Sequence, residues 1–170
     1  SVENSGEIRG LAGDFTDGIS MFAYTAQANE NYGASVDNAD GGEISGSRFG
    51  IILSGGGDVA NAGAITGVVG GIFIQGTALN TDPGEDRSGL TANVVNSGTI
   101  TGTGPFNSLG QDGNGYGVGF GSDMSTATLQ NSGTITSEQS VGVSHGSLAD
   151  LTVTNAASGV ITGATSGIYG

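Results

Sequence analysis

The chain has 170 residues, of which 35 are glycine, two are proline and none is cysteine. Sixteen acidic residues against three arginines and no lysine give a formal net charge of −13, which repels phosphate backbones and anionic lipid surfaces and argues against nucleic-acid or membrane-surface binding. Without cysteine there is neither a disulfide framework nor thiolate–metal chemistry. The low proline content excludes collagen, recurring short runs of Ile, Val, Leu and Phe argue against disorder, and no apolar run reaches the ~18 residues of a membrane-spanning helix.

Taken in chain order, the segments repeat. The first reads "VENSGEIRG" from Val2, and its phrase returns as "VDNADGGEISG" from Val36, "VANAGAITG" from Val59, "VVNSGTITG" from Val94, "LQNSGTITS" from Leu129 and "VTNAASGVITG" from Val153. Each copy holds an apolar residue, an asparagine two positions on, a short glycine-containing turn and an isoleucine. After each comes a third segment of glycine and apolar residues: "GISMF", "GIILS", "GIFIQ", "GVGFG", "GVSHG" and "GIYG". Three short strands per unit are therefore expected, joined by turns in which glycine accepts backbone angles other residues resist.

Successive asparagines lie 34, 23, 35, 35 and 24 residues apart (Asn4, Asn38, Asn61, Asn96, Asn131, Asn155). A helical repeat cannot absorb such changes, because its apolar stripe must stay in phase. A coil of strands can, by looping extra residues out at a corner. The predicted fold is all-β: a single-stranded parallel β-helix of about six coils, three short strands each, right-handed by analogy with the usual hand of such folds. A β-sandwich is the structural alternative, but its strands have no reason to repeat one phrase. Alternation should point Val94, Ile100 and Val118 inward. Like residues then stack in columns: one of Ile8, Ile44, Ile65, Ile100, Ile135 and Ile161, another of the six asparagines at a corner. There a side-chain amide can bond its own turn or the next asparagine of the stack. The positions flanking the isoleucines read "EIR", "EIS", "AIT", "TIT", "TIT" and "VIT", so no regular threonine array is expected.

The phrases "NSGTITG", "GYGVGF" and "NAASGVITGATSGIYG" resemble the passenger domains of Gram-negative autotransporters, the type V secretion proteins. The resemblance covers nearly the whole chain and lies in a degenerate repeat, not in a catalytic motif. It implies a β-helical stalk carried through the outer membrane by a C-terminal barrel, in a family rich in adhesins and aggregation factors. Residues 1–170 would form one domain, a segment of a longer chain.

Catalytic signals are sparse. "GVSHG" (142–146) matches the G-x-S-x-G pattern, which works only at a strand-to-helix elbow with a separate histidine base. Here it falls on a third strand, and His145 is the only histidine. Register places His145 in the apolar column of Met21, Leu53, Ile74 and Phe120, at the edge of the core. Glycan cleavage needs a recognisable carboxylate pair, and none stands out, so no catalytic residue and no enzyme activity are expected. No firm metal site is expected either. Weak calcium candidates are Asp112 and Asn114 in "QDGNGYG", which lacks the ligands that complete a calcium loop, and Asp82, Glu85 and Asp86 in "DPGED".

Function should then reside in insertions at the corners, 22–35, 75–93 and 103–115, because loops on a rigid scaffold carry most recognition. Candidate contact residues are Tyr24, Asn29, Asn31 and Tyr32 in the first, and Asp82 and Asp86 in the second. The first two insertions leave the same corner, two coils apart. The expected role is that of an extracellular stalk or adhesin, at the cell surface of a Gram-negative bacterium, binding a cell-surface protein or glycan. Alternatively, copies stack end to end into a filament, since the first and last residues fall inside repeats with no polar cap. A glycan-acting β-helix enzyme is a distant third.

Overall fold

The computed structural model describes residues 1–10, 16–22, 34–76, 90–104, 115–121, 124–146 and 150–170. Six coils of three strands follow one another. They are β1 (Val2–Asn4), β2 (Glu7–Arg9) and β3 (Ile19–Phe22); β4 (Ser35–Asn38), β5 (Glu43–Gly46) and β6 (Phe49–Ser54); and β7 (Gly57–Asn61), β8 (Ala64–Gly67) and β9 (Gly70–Gln75). The remaining three coils are β10 (Thr91–Asn96), β11 (Thr99–Gly102) and β12 (Tyr116–Phe120); β13 (Thr126–Asn131), β14 (Thr134–Ser137) and β15 (Val141–His145); and β16 (Asp150–Asn155), β17 (Val160–Gly163) and β18 (Ser166–Tyr169). Strands equivalent by position pair in parallel, giving three six-stranded sheets, β1-β4-β7-β10-β13-β16, β2-β5-β8-β11-β14-β17 and β3-β6-β9-β12-β15-β18. This is a parallel β-helix with three strands per coil, right-handed as parallel crossovers are. At about 4.8 Å per coil, six coils span roughly 29 Å.

The columns fall where the repeat places them. Val94 pairs with Val59 and Leu129, Ile100 with Ile65 and Ile135, and Val118 with Ile72 and Val143. Val94, Ile100 and Val118 are each fully buried in one core that runs the length of the coil. Burial of one such side chain against leaving it in water is worth about 1.5–3 kcal/mol. The repeat therefore stabilises the rod coil by coil.

The asparagines form a hydrogen-bonded ladder with one direction. Nδ2 of Asn4 donates to Oδ1 of Asn38, Asn38 to Asn61, Asn61 to Asn96, Asn96 to Asn131 and Asn131 to Asn155, each at 2.8 Å. Each of the five donors also reaches a carbonyl of its own turn and one of the next coil, as Asn96 does with Gly98 (3.2 Å) and Thr134 (3.3 Å). The amide thus satisfies corner groups that no sheet ladder reaches, which is why a polar side chain is retained in a buried column.

The glycine opening each third segment has a steric cause. At Gly71 an added Cβ would sit 2.4 Å from Ile100 Cγ2 and 2.8 Å from the Gly117 carbonyl oxygen, and Gly50, Gly117 and Gly142 meet the neighbouring coil's isoleucine in the same way. The isoleucine column and the glycine column are two halves of one packing arrangement.

The first two insertions are shorter than the expected 22–35 and 75–93. Phe22 ends β3 and Ser35 opens β4, while Gln75 ends β9 and Thr91, Ala92 and Asn93 belong to β10, because Ala92 turns inward and is buried beside Val94. In the second sheet one flanking column runs Arg9, Ser45, Thr66, Thr101, Thr136 and Thr162, so threonine recurs in four coils and not in the first two. The other column runs Glu7, Glu43, Ala64, Thr99, Thr134 and Val160, mixed as the sequence reads.

Candidate functional site

The corner between the third and first sheets is where the two large insertions attach. Phe22, Ser54 and Gln75 are in register at the ends of β3, β6 and β9. Past Phe22 the chain enters residues 23–33, and past Gly76 it enters 77–89. The coil between them turns without an insertion. Gly55, Gly56 and Gly57 link β6 directly to β7 with φ values of 101°, 78° and 142°, angles that side-chain-bearing residues rarely adopt.

Hydrogen bonds fix this tight corner to both neighbours. The Gly55 N–H donates to the Gln75 carbonyl (2.9 Å), the Asp58 N–H to the Ala34 carbonyl (2.9 Å) and Gln75 Nε2 to Ser54 Oγ (2.9 Å). The result is a tight glycine corner, hydrogen-bonded to both neighbouring coils and flanked by two insertion stems about 10 Å apart along the axis. The candidate contact residues Tyr24, Asn29, Asn31, Tyr32, Asp82 and Asp86 lie outside the described residues, as do the calcium candidates Glu85, Asp112 and Asn114. What is defined is the scaffold that sets where their loops begin and end.

The G-x-S-x-G match is extended β-strand. Ser144 and His145 are consecutive in β15, and adjacent strand residues face opposite sides. His145 stands in register with Phe120, continuing the column of Met21, Leu53 and Ile74 as expected, and its Nδ1 lies 2.8 Å from the Gly146 carbonyl. Ser144 pairs with Gly119 on one side and Tyr169 on the other. No nucleophile–base contact exists at this motif. Carboxylates do occur side by side, Glu3 with Asp37 and Glu7 with Glu43, on outer faces in neighbouring coils. Among the described residues, no group of three or more His, Asp or Glu is placed to hold a metal ion.

Sequence reasoning missed a polar–aromatic cluster at the start of the third sheet. Asp17, almost fully buried, takes a two-pronged ion pair from Arg48, Nε to Oδ1 at 2.8 Å and Nη2 to Oδ2 at 2.5 Å, and accepts the Phe49 N–H as well. The Arg48 guanidinium lies 5.3 Å from the centre of the Phe49 ring. Phe49 stacks on Phe73 at 5.4 Å and on Tyr116 at 6.2 Å, with Phe73 and Tyr116 5.7 Å apart. Gly70 and Gly119 leave room for the Tyr116 ring, which an added Cβ at either would meet at 2.5 Å. Burial pushes the Tyr116 phenol far above its ordinary range, with the Arg48 charge opposing. The rings spend their faces on one another, so the cluster pins coils two to four together. The available signal was the residue before the recurring glycine, aromatic in two coils.

The fold places the chain among three-sheeted parallel β-solenoids. No family model, characterised protein or solved structure matches it.

Proposed function

We propose that this chain is a non-catalytic β-helical segment of an extracellular protein at the surface of a Gram-negative cell, a stalk that carries adhesive corner loops. The observation behind the reading is the in-register set Phe22, Ser54 and Gln75. It gathers two insertions on one edge of the rod and leaves a tight glycine corner between them. A rod held together by buried ladders keeps such loops at fixed spacing, which suits recognition of a cell-surface protein or glycan. The acidic composition favours solubility and resists non-specific association. Calcium, where bound, would act weakly through loop carboxylates.

The test replaces residues 23–33 and 77–89, singly and together, with a three-glycine corner like that of Gly55–Gly57. Binding of purified protein to intact cells and to a glycan array is then compared with wild type. Loss of binding in the replaced forms, with an unchanged unfolding midpoint, supports the reading. Binding that survives the double replacement, or turnover of a glycan by the purified protein, would replace it with another surface or with the enzyme reading.

A further inference from the structure

We propose that the solenoid carries a parting plane between its fourth and fifth coils: coils one to four open only together, while the third strand of coil five opens alone. Two independent observations meet at this junction. The first is where the clasp on the third sheet stops. Asp17 and Arg48 tie coil one to coil two, Phe49 stacks on Phe73 of coil three, and both rings meet Tyr116 of coil four. The partners of Tyr116 and Gly119 in coil five are Val141 and Ser144, so no ring carries the row across. Each aromatic pair adds to what the repeat already supplies. Solenoid stability is summed over neighbouring coils, so the junctions that hold such pairs are the last to part.

The second is the corner that leads into the third strand of coil five. Gly46, Gly67, Gly102, Ser137 and Gly163 form one column, and Phe49, Gly70, Tyr116, Val141 and Ser166 another. Two residues separate Gly46 from Phe49, Gly67 from Gly70 and Gly163 from Ser166, whereas three separate Ser137 from Val141. In the short corners a Cβ on the glycine would collide with the carbonyl oxygen of Phe49, Gly70 or Ser166, so no side chain fits. The extra residue widens the coil-five corner and admits Ser137. Its hydroxyl then stands between the coils. The Ser140 N–H donates to Ser137 Oγ (3.0 Å), which donates to the Gly115 carbonyl of coil four (2.8 Å). In the corners of coils three and six the backbone makes that tie directly, Val69 N–H to Arg48 O at 2.8 Å and Thr165 N–H to Ser140 O at 2.9 Å. Ser140 is 3% exposed, yet its Oγ has no hydrogen-bond partner. A buried hydroxyl without a partner favours whatever opening lets water reach it. The first two sheets and the asparagine ladder cross the junction unbroken, so coil five opens at its third strand and hinges on the other two.

The two insertion stems that share a corner lie on coils one and three, inside the clasped block, so opening at this plane leaves their spacing untouched. The device rests on packing and hydrogen bonding alone and stands or falls apart from the adhesin reading. Hydrogen–deuterium exchange of the 170-residue chain, resolved by peptide mass spectrometry, tests it. β6 and β15 are each separated from an end of the chain by one coil, so fraying alone would protect them equally. The expected result is protection at least about tenfold higher in β6 than in β15. Ser140→Ala removes the unpartnered hydroxyl and should slow exchange in β15 at least about fivefold, leaving β6 unchanged. Asp17→Ala should speed exchange in β6 and leave β15 unchanged. Equal protection of the two strands in wild type, exchange in β15 indifferent to Ser140→Ala, or an Asp17→Ala effect shared by both strands would overturn the proposal.

Discussion

Asn96→Asp changes the buried ladder with almost no change of shape. Asn96 is 1% exposed, donates to Asn131 Oδ1, Gly98 O and Thr134 O, and accepts from Asn61 Nδ2. A carboxylate keeps the acceptor and deletes the donors, leaving three oxygens facing a negative charge. An unsatisfied buried acceptor costs about 1–3 kcal/mol and an unpaired buried charge several more, so a loss of roughly 3–5 kcal/mol is expected at pH 7. Protonation restores one O–H donor. Burial and the facing oxygens favour the neutral form, which raises the folded-state pKa of the new carboxyl above the unfolded value of about 3.9. The folded state then holds the proton that the unfolded state releases. The penalty is therefore small at pH 4 and grows as pH rises toward 7, by at most about 1.4 kcal/mol per unit. Urea unfolding followed by circular dichroism at pH 4 and pH 7, always as the difference from wild type, measures it. Asn155→Asp is the internal comparison: it loses one bond at an exposed site and should cost under about 1 kcal/mol. A loss at position 96 below 1 kcal/mol, or one equal at both pH values, refutes the role given to the ladder.

Gly71→Ala places a Cβ 2.4 Å from Ile100 Cγ2 and should cost about 1–3 kcal/mol by overpacking, whereas Gly6→Ala, with nothing within 4 Å, should stay within about 0.5 kcal/mol. Pairing Gly71→Ala with Ile100→Ala should cost less than the sum of the two, as a double-mutant cycle of melting curves would show. Asp17→Ala leaves Arg48 without its partner. Because Arg48 is partly exposed the expected loss is about 2–3 kcal/mol, little altered by salt, as denaturation at 0.05 and 1 M sodium chloride would report. Tyr116 should remain a phenol in the folded protein at pH values where ordinary tyrosines ionise, so Tyr116→Phe should leave the 295 nm absorbance titration unchanged up to pH 11. Since the folded-state pKa is raised, the stability Tyr116 contributes is present below about pH 10 and lost above it. Wild type should therefore lose stability above pH 10 more steeply than the variant.

The sequence by itself determined the coil. Val94, Asn96 and Ile100 recur in Leu129, Asn131 and Ile135 because each coil packs on a copy of itself, and a residue good at one height is good at the next. Such self-templating writes the tertiary contacts into the primary structure, which is why strand number, register and the asparagine column could be read before any coordinates. The attachment corner of the first two insertions was legible for the same reason, since Phe22 and Gln75 occupy one position of the repeat.

What broke the repeat was decided only in three dimensions. Asp17 and Arg48 belong to different coils and to no recurring phrase, and nothing in their spacing of 31 residues announces an ion pair. Phe49, Phe73 and Tyr116 meet because glycine stands at 70 and 119, a complementarity between columns that a reading of single columns cannot find. The identical phrases also could not show that the ladder has a direction. The sense in which an amide turns is fixed by the carbonyls around it, and those carbonyls take their positions only when the neighbouring coil is in place.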